Sequence, residues 1–189
     1  MKKFIFALIA GASAMSAVHA QGPYVGLGVA TTERELSTSG LTSRESGSYT
    51  PSRKVFGGYG FTPTLGIEAG YTHLRHYDAD YTTGSTTMYS ANKGKRAYLA
   101  MTGTKALNEQ FSVYGKAGLG YQQNDFLLTG TGYDYYANDS KSGLYGAIGA
   151  QYNLSKQVAL TVEYERYGKK TGFGAIKPDA FTVGARFNF

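Results

Sequence analysis

Few residues in this chain have side chains that hold a metal, carry a nucleophile or move a proton. It contains no cysteine, which excludes disulfides, thiolate metal sites and thiol nucleophiles. Of three histidines, His19 lies in the first twenty residues, and only His73 and His76 stand in the body of the chain. A spacing of three puts these two on opposite faces of a strand, so they cannot share a metal without a bend. His76, Asp78 and Asp80 would share a face if the strand continued, but three residues at a fraying end rarely build a closed site. No metal and no cofactor are therefore expected. A serine–histidine–acid centre needs a histidine within hydrogen-bond reach of the serine and a third group to orient it. Only His73 or His76 could serve there. The glycine pairs Gly57-Gly58 and Gly118-x-Gly120 lack the strand-to-helix transition of a phosphate loop. Catalysis is not expected.

The remaining chemistry is charge. Glu68, Lys116, Glu163 and Arg186 stand singly in strings dominated by glycine and alanine. Most basic residues gather elsewhere: Arg53, Lys54, Arg75, Lys93, Lys95, Arg96, Lys141, Arg166, Lys169, Lys170 and Lys177. What either group does depends on the elements that carry it.

Within the 189 residues, the first twenty differ from the rest. Lys2 and Lys3 begin a basic start, Phe4 to Ala12 is apolar, and Val18-His19-Ala20 suits a cleavage site. This is the layout of a secretory signal peptide over residues 1–20, its apolar run being shorter than the ~20 residues of a bilayer-spanning helix. The expected domain is residues 21–189. Aromatic residues make up 14% of the chain, which argues for a folded protein. No apolar stretch after Ala20 suits a spanning helix, so entry into a membrane would require a closed barrel.

Period two, the strand period, runs through the body of the chain. Phe181, Val183, Ala185, Phe187 and Phe189 alternate with Thr182, Gly184, Arg186 and Asn188; Val158, Leu160, Val162 and Tyr164 alternate with Ala159, Thr161, Glu163 and Glu165. Similar segments are centred on Leu27, Tyr59, Ile67, Leu99, Gly115 and Ile148, giving eight strands. Short polar turns at Thr62-Pro63-Thr64, Asn108-Glu109-Gln110 and Ser155-Lys156-Gln157 alternate with long polar loops over 33–52, 78–92, 124–140 and 169–178. Short periplasmic turns and long external loops belong to an outer-membrane barrel.

Eight alternating strands also suit a soluble ligand-carrying barrel with the apolar set inside. The second set decides against it. It carries Gly58, Gly60, Gly66, Gly70, Gly118, Gly120, Ala147, Gly149 and Gly184, with the single charges Glu68, Lys116, Glu163 and Arg186. Small residues relieve crowding in a narrow barrel, and isolated charges there can pair. The apolar set then faces lipid. Tyr24, Phe61, Phe111, Tyr152, Phe187 and Phe189 are expected in a periplasmic aromatic girdle, with Tyr71, Tyr121 and Tyr164 toward the outer one. The fold class is all-β, an eight-stranded antiparallel up-and-down transmembrane β-barrel.

The stretch from Val55 to Tyr71, VFGGYGFTPTLGIEAGY, resembles the second hairpin of the transmembrane domain of the outer-membrane protein A family, and Val162 to Tyr167, VEYERY, is similar to that family's seventh strand. The terminal Phe189, after Phe187, resembles the C-terminal signal read by the barrel-insertion machinery. The resemblance implies an eight-stranded barrel in the outer membrane with a structural or surface-interaction role. It departs from the family in ending at the last strand, without the periplasmic peptidoglycan-binding domain. The family's interior salt-bridge gate does not carry over. Glu68 matches its central carboxylate and Lys116 keeps a basic position, but Thr161 and Thr102 stand where its basic partners would be, and Gln151 replaces an acid.

Two readings of the interior charges stay open: a polar plug controlling passage, or a structural network required because an unpaired buried charge is costly. The basic residues sit at strand ends beside the long loops, with only Lys105 and Lys156 at the short-turn ends. That one-sided placement suggests a collar for the phosphorylated heads of lipopolysaccharide. Nucleic acid is not an expected partner, since an exported barrel meets lipopolysaccharide first. Loop tyrosines Tyr77, Tyr81, Tyr89, Tyr133, Tyr135 and Tyr136 either pack the loops or form an adhesive surface for a host ligand. The expected function is that of a small structural, surface-exposed outer-membrane barrel, with a narrow porin-like channel or a loop-borne adhesin as alternatives.

Overall fold

A computed structural model describes residues 21–34, 49–83, 86–130, 133–168 and 176–189; the expected signal peptide over 1–20 lies outside them. The strands are β1 Gly22–Arg34, β2 Tyr49–Gly60, β3 Leu65–Thr83, β4 Thr86–Ala106, β5 Phe111–Gly130, β6 Tyr133–Asn153, β7 Val158–Tyr167 and β8 Ile176–Asn188. Each pairs antiparallel with its neighbours in sequence, and β1 pairs with β8 to close an up-and-down barrel. Closure leaves every spanning backbone group bonded to an adjacent strand, as a hydrocarbon environment demands.

The barrel is apolar outside and polar inside. Leu144, Ile148 and Leu119 are 79%, 69% and 68% exposed, whereas Lys54 and Glu165 are each 1% exposed. β7 shows the alternation residue by residue: Ala159, Thr161, Glu163, Glu165 and Tyr167 are buried, and the residues between them are not. An exterior of Leu, Ile, Val and Phe is stable only against acyl chains, because water would penalise so much exposed apolar surface.

Interior rings stand opposite interior glycines. Phe56 pairs with Gly26, Tyr24 with Gly58, Tyr98 with Gly70 and Tyr114 with Gly149. A Cβ at any of these four glycines would come within 2.6 Å of the facing ring. Each ring therefore occupies the volume its partner lacks, which lets a narrow barrel of eight strands enclose six-membered rings.

The three short turns share one lock. Thr62 Oγ1 accepts from Leu65 N at 2.9 Å, Asn108 Oδ1 from Phe111 N at 2.7 Å, and Ser155 Oγ from Val158 N at 3.0 Å. Short Thr, Asn and Ser side chains make such bonds readily, hence their preference for turns.

The opposite end differs from expectation. The described residues of the stretches 78–92 and 124–140, expected to be long polar loops, instead continue the strands: β3 to β6 are 19 to 21 residues long, about twice the ~9–11 needed to cross the membrane. Thr and Tyr are abundant in these stretches and favour extended backbone. A sheet wetted on both faces needs no apolar alternation, so period two fades while the strands persist. One extra β3 residue between Leu74 and Tyr77 shifts the register against β4, the mark of a β-bulge.

Candidate functional site: the charged barrel interior

Five charges of alternating sign cross the interior. Lys116 Nζ donates to Glu68 Oε1 at 2.6 Å and to Glu163 Oε2. Lys54 Nζ donates to Glu163 Oε1 and, at 2.7 Å, to Glu165 Oε1. β2, β3, β5 and β7 thus each supply at least one member of the series Glu68–Lys116–Glu163–Lys54–Glu165. The remaining carboxylate lone pairs accept from hydroxyls. Glu68 accepts from Tyr24 at 2.9 Å and from Tyr98; Glu165 accepts from Tyr167 at 2.8 Å, Tyr145 at 3.1 Å and Thr182; Glu163 accepts from Tyr114 at 3.2 Å. A buried ion pair is tolerated when its other hydrogen-bonding capacity is met in this way.

An arginine caps each end. The Arg186 guanidinium lies 3.5 Å from the Tyr24 ring centroid, and its Nε donates to Asn188 at 2.7 Å. Arg96, fully buried, lies 4.9 Å from the Tyr167 ring and donates to the backbone carbonyl of Lys177. Between them Tyr98 and Tyr145 stack at 4.2 Å, with Tyr167 edge-on to Tyr98. Below the network remains a cavity of about 20 Å³ lined partly by Thr102, Thr161, Gln151 and Arg186, room for about one water. The three positions where the family's gate residues were sought therefore line this cavity, and Glu68 takes Lys116 as its cation.

The structure brings together Glu68, Lys116 and Glu163, and places Arg186 at the periplasmic end of the same interior. Two residues assigned to the outer collar are corrected: Lys54 and Arg96 are each 1% exposed and point inward. Tyr24, assigned to the girdle, is also interior. Parity was the available signal. Lys54 shares its face with Phe56 and Gly58, Arg96 with Tyr98 and Ala100, and Tyr24 with Gly26 and Gly28. Glu165, passed over as an interior charge, has the parity of Glu163.

Arg53, Lys93, Lys95, Lys141 and Arg166 are exposed, while the side chains of Arg75, Lys169 and Lys170 lie outside the described residues, as do those of His76, Asp78 and Asp80. Lys141 lies 3.6 Å from Asp139 and Arg166 3.2 Å from Asp179. Phe187 and Phe189 meet edge to face at 5.1 Å on the periplasmic rim.

A family model described as the outer membrane protein beta-barrel domain matches residues 4–189. The chain belongs to that family. It is an outer-membrane β-barrel protein. Among solved structures, this outer-membrane barrel is similar to Ail of Yersinia pestis in complex with the heparin analogue sucrose octasulfate, at 16% identity and a TM-score of 0.60 over 89% of this chain and 99% of that one. OprG of Pseudomonas aeruginosa matches at 16% identity and 0.57, over 90% and 97%. Neisserial surface protein A matches at 19% identity and 0.52, over 89% and 98%. These likenesses describe the fold. No curated protein matches the sequence significantly.

Proposed function

We propose that this outer-membrane barrel is a structural, surface-exposed protein, sealed to solutes, anchored among lipopolysaccharide by its basic outer rim and holding a β-sheet above the membrane. The observation that carries this reading is the filled interior: Arg96, Tyr167, Lys54 and Glu165 are fully buried in the path a solute would take. Reconstitution into planar bilayers is expected to give no discrete conductance steps. Regular steps would favour the channel instead.

The exposed Arg53, Lys93, Lys95, Lys141 and Arg166 support the lipopolysaccharide contact, since Arg and Lys donate charge-assisted hydrogen bonds to phosphate. Arg75, Lys169 and Lys170 belong to the same proposal. A barrel of this fold, Ail, has been crystallised with a polysulfated sugar, which supports a role for polyanions at such a surface. Phe187 and Phe189 are proposed as the segment read by the insertion machinery.

One observation favours adhesion as a second reading. Among the described residues, β6 pairs with β7 only as far as Tyr145, and β3 with β2 only as far as His73. Among the described residues the extension of β3–β6 beyond these points forms ladders only within itself, and the edge of a sheet is suited to pairing with another chain. Cell-attachment assays on variants lacking residues 78–91 or 127–137 separate the two readings: lost attachment supports the adhesin, unchanged attachment the structural barrel.

A further inference from the structure

Three basic side chains stand side by side on the outer face of β2–β4. Arg53 of β2 is the register partner of His73 of β3, and His73 is the partner of Lys95 of β4. All three are exposed. Adjacent partners have Cβ atoms about 5 Å apart, and strands spaced ~4.8 Å place Arg53 and Lys95 about 10 Å apart across the imidazole.

Two cations flanking an imidazole attract an anion, and no register partner in this row is acidic. The next partners along the row are Val29 on β1 and Gln123 on β5. Other rim cations have carboxylates at hand: Asp139 for Lys141, Asp179 for Arg166, and Asp125 opposite Lys93. Among the described residues Arg53 and Lys95 form no ion pair. Directly below runs the in-register row Val55–Tyr71–Ala97–Tyr121, with Val55, Tyr71 and Tyr121 exposed. Phenols beside aliphatic groups mark the edge of the hydrocarbon, which puts the basic row at headgroup height.

We propose that Arg53, His73 and Lys95 form a discrete site for a phosphate monoester on the headgroup of an outer-leaflet glycolipid. The guanidinium fork takes two phosphate oxygens, the imidazole donates one N–H, and the ammonium adds a point charge. This rests on the lipopolysaccharide anchoring proposed above and narrows a diffuse collar to three donors on three adjacent strands.

The test uses the folded barrel in phosphatidylcholine nanodiscs at low salt, doped with bisphosphorylated lipid A or with the same lipid stripped of phosphate. Lipid retention is read by native mass spectrometry. The parent is expected to retain the phosphorylated lipid preferentially. Arg53→Gln and Lys95→Gln are each expected to weaken retention about tenfold, as for loss of one charge-assisted hydrogen bond. Arg53→Lys, which keeps the charge but loses the fork, is expected to fall between them and the parent. A Lys93→Gln/Lys141→Gln control from the same basic rim is expected to lose clearly less than either site variant, its cations having local carboxylates. Heat-modifiable mobility reports the fold of each variant, and these exposed positions leave the interior untouched. Equal losses in site and control variants overturn the site and leave the collar standing. Equal retention of both lipids by the parent overturns the site and the anchoring together. Displacement of lipid A by equimolar inorganic phosphate assigns the site to free phosphate and overturns the lipid commitment.

Discussion

Glu163 is the residue on which the interior turns, because both buried ammonium groups donate to it. Replacing it with Gln leaves Lys54 and Lys116 facing a neutral amide at the centre of the series. Removing one partner from a buried pair costs about 3–5 kcal/mol, so Glu163→Gln is expected to lower the urea midpoint of the detergent-folded barrel markedly. Arg186 holds Tyr24 by its face and has no carboxylate partner among the described residues. Arg186→Ala should then cost only about 1–2 kcal/mol, the scale of a desolvated cation–π contact. An Arg186 variant that unfolds earlier than the Glu163 variant would contradict this order. At this scale the sequence was partly legible. Glu68 and Lys116 stood out as lone charges among glycines, whereas Lys54 and Arg96 lie next to the exposed Arg53 and Lys95 and looked like members of the same rim. Nearness in sequence suggested a shared place, but a strand sends adjacent side chains to opposite faces.

At the scale of elements, the strands are specified by which positions lack a Cβ. Gly118 faces inward, and an added methyl there would lie 2.0 Å from the Leu99 carbonyl oxygen; Gly103 faces outward with nothing within 4 Å. Gly118→Ala should therefore cost about 1–3 kcal/mol through overpacking, while Gly103→Ala should stay within about 0.5 kcal/mol. Urea titration of the two variants side by side checks the contrast. In the turns, Asn108→Ala removes the acceptor for both Gln110 N and Phe111 N and should cost about 1–2 kcal/mol. The spanning parts of all eight strands were readable because lipid outside and charge inside enforce period two. The upper halves of β3–β6 were not readable, because water on both sides imposes no alternation and a Thr- and Tyr-rich strand then resembles a polar loop.

For the molecule as a whole, the spanning barrel and the sheet above it make separable demands. The ion-pair series and the rings facing glycines all lie within the barrel, so excising residues 78–91 is expected to leave heat-modifiable mobility intact. Loss of that mobility would mean that the hairpins help hold the barrel shut. The pairing of β1 with β8, from Tyr24 with Asn188 outward to Arg34 with Ile176, has a consequence for how the protein is made. The first strand to be synthesised finds its second neighbour only in the last. Until β8 arrives, any bilayer-inserted fragment would present two raw borders to hydrocarbon. Stepwise threading, strand by strand as the ribosome works, is thereby disfavoured, and the polypeptide must reach its destination whole before it can be stitched into a cylinder.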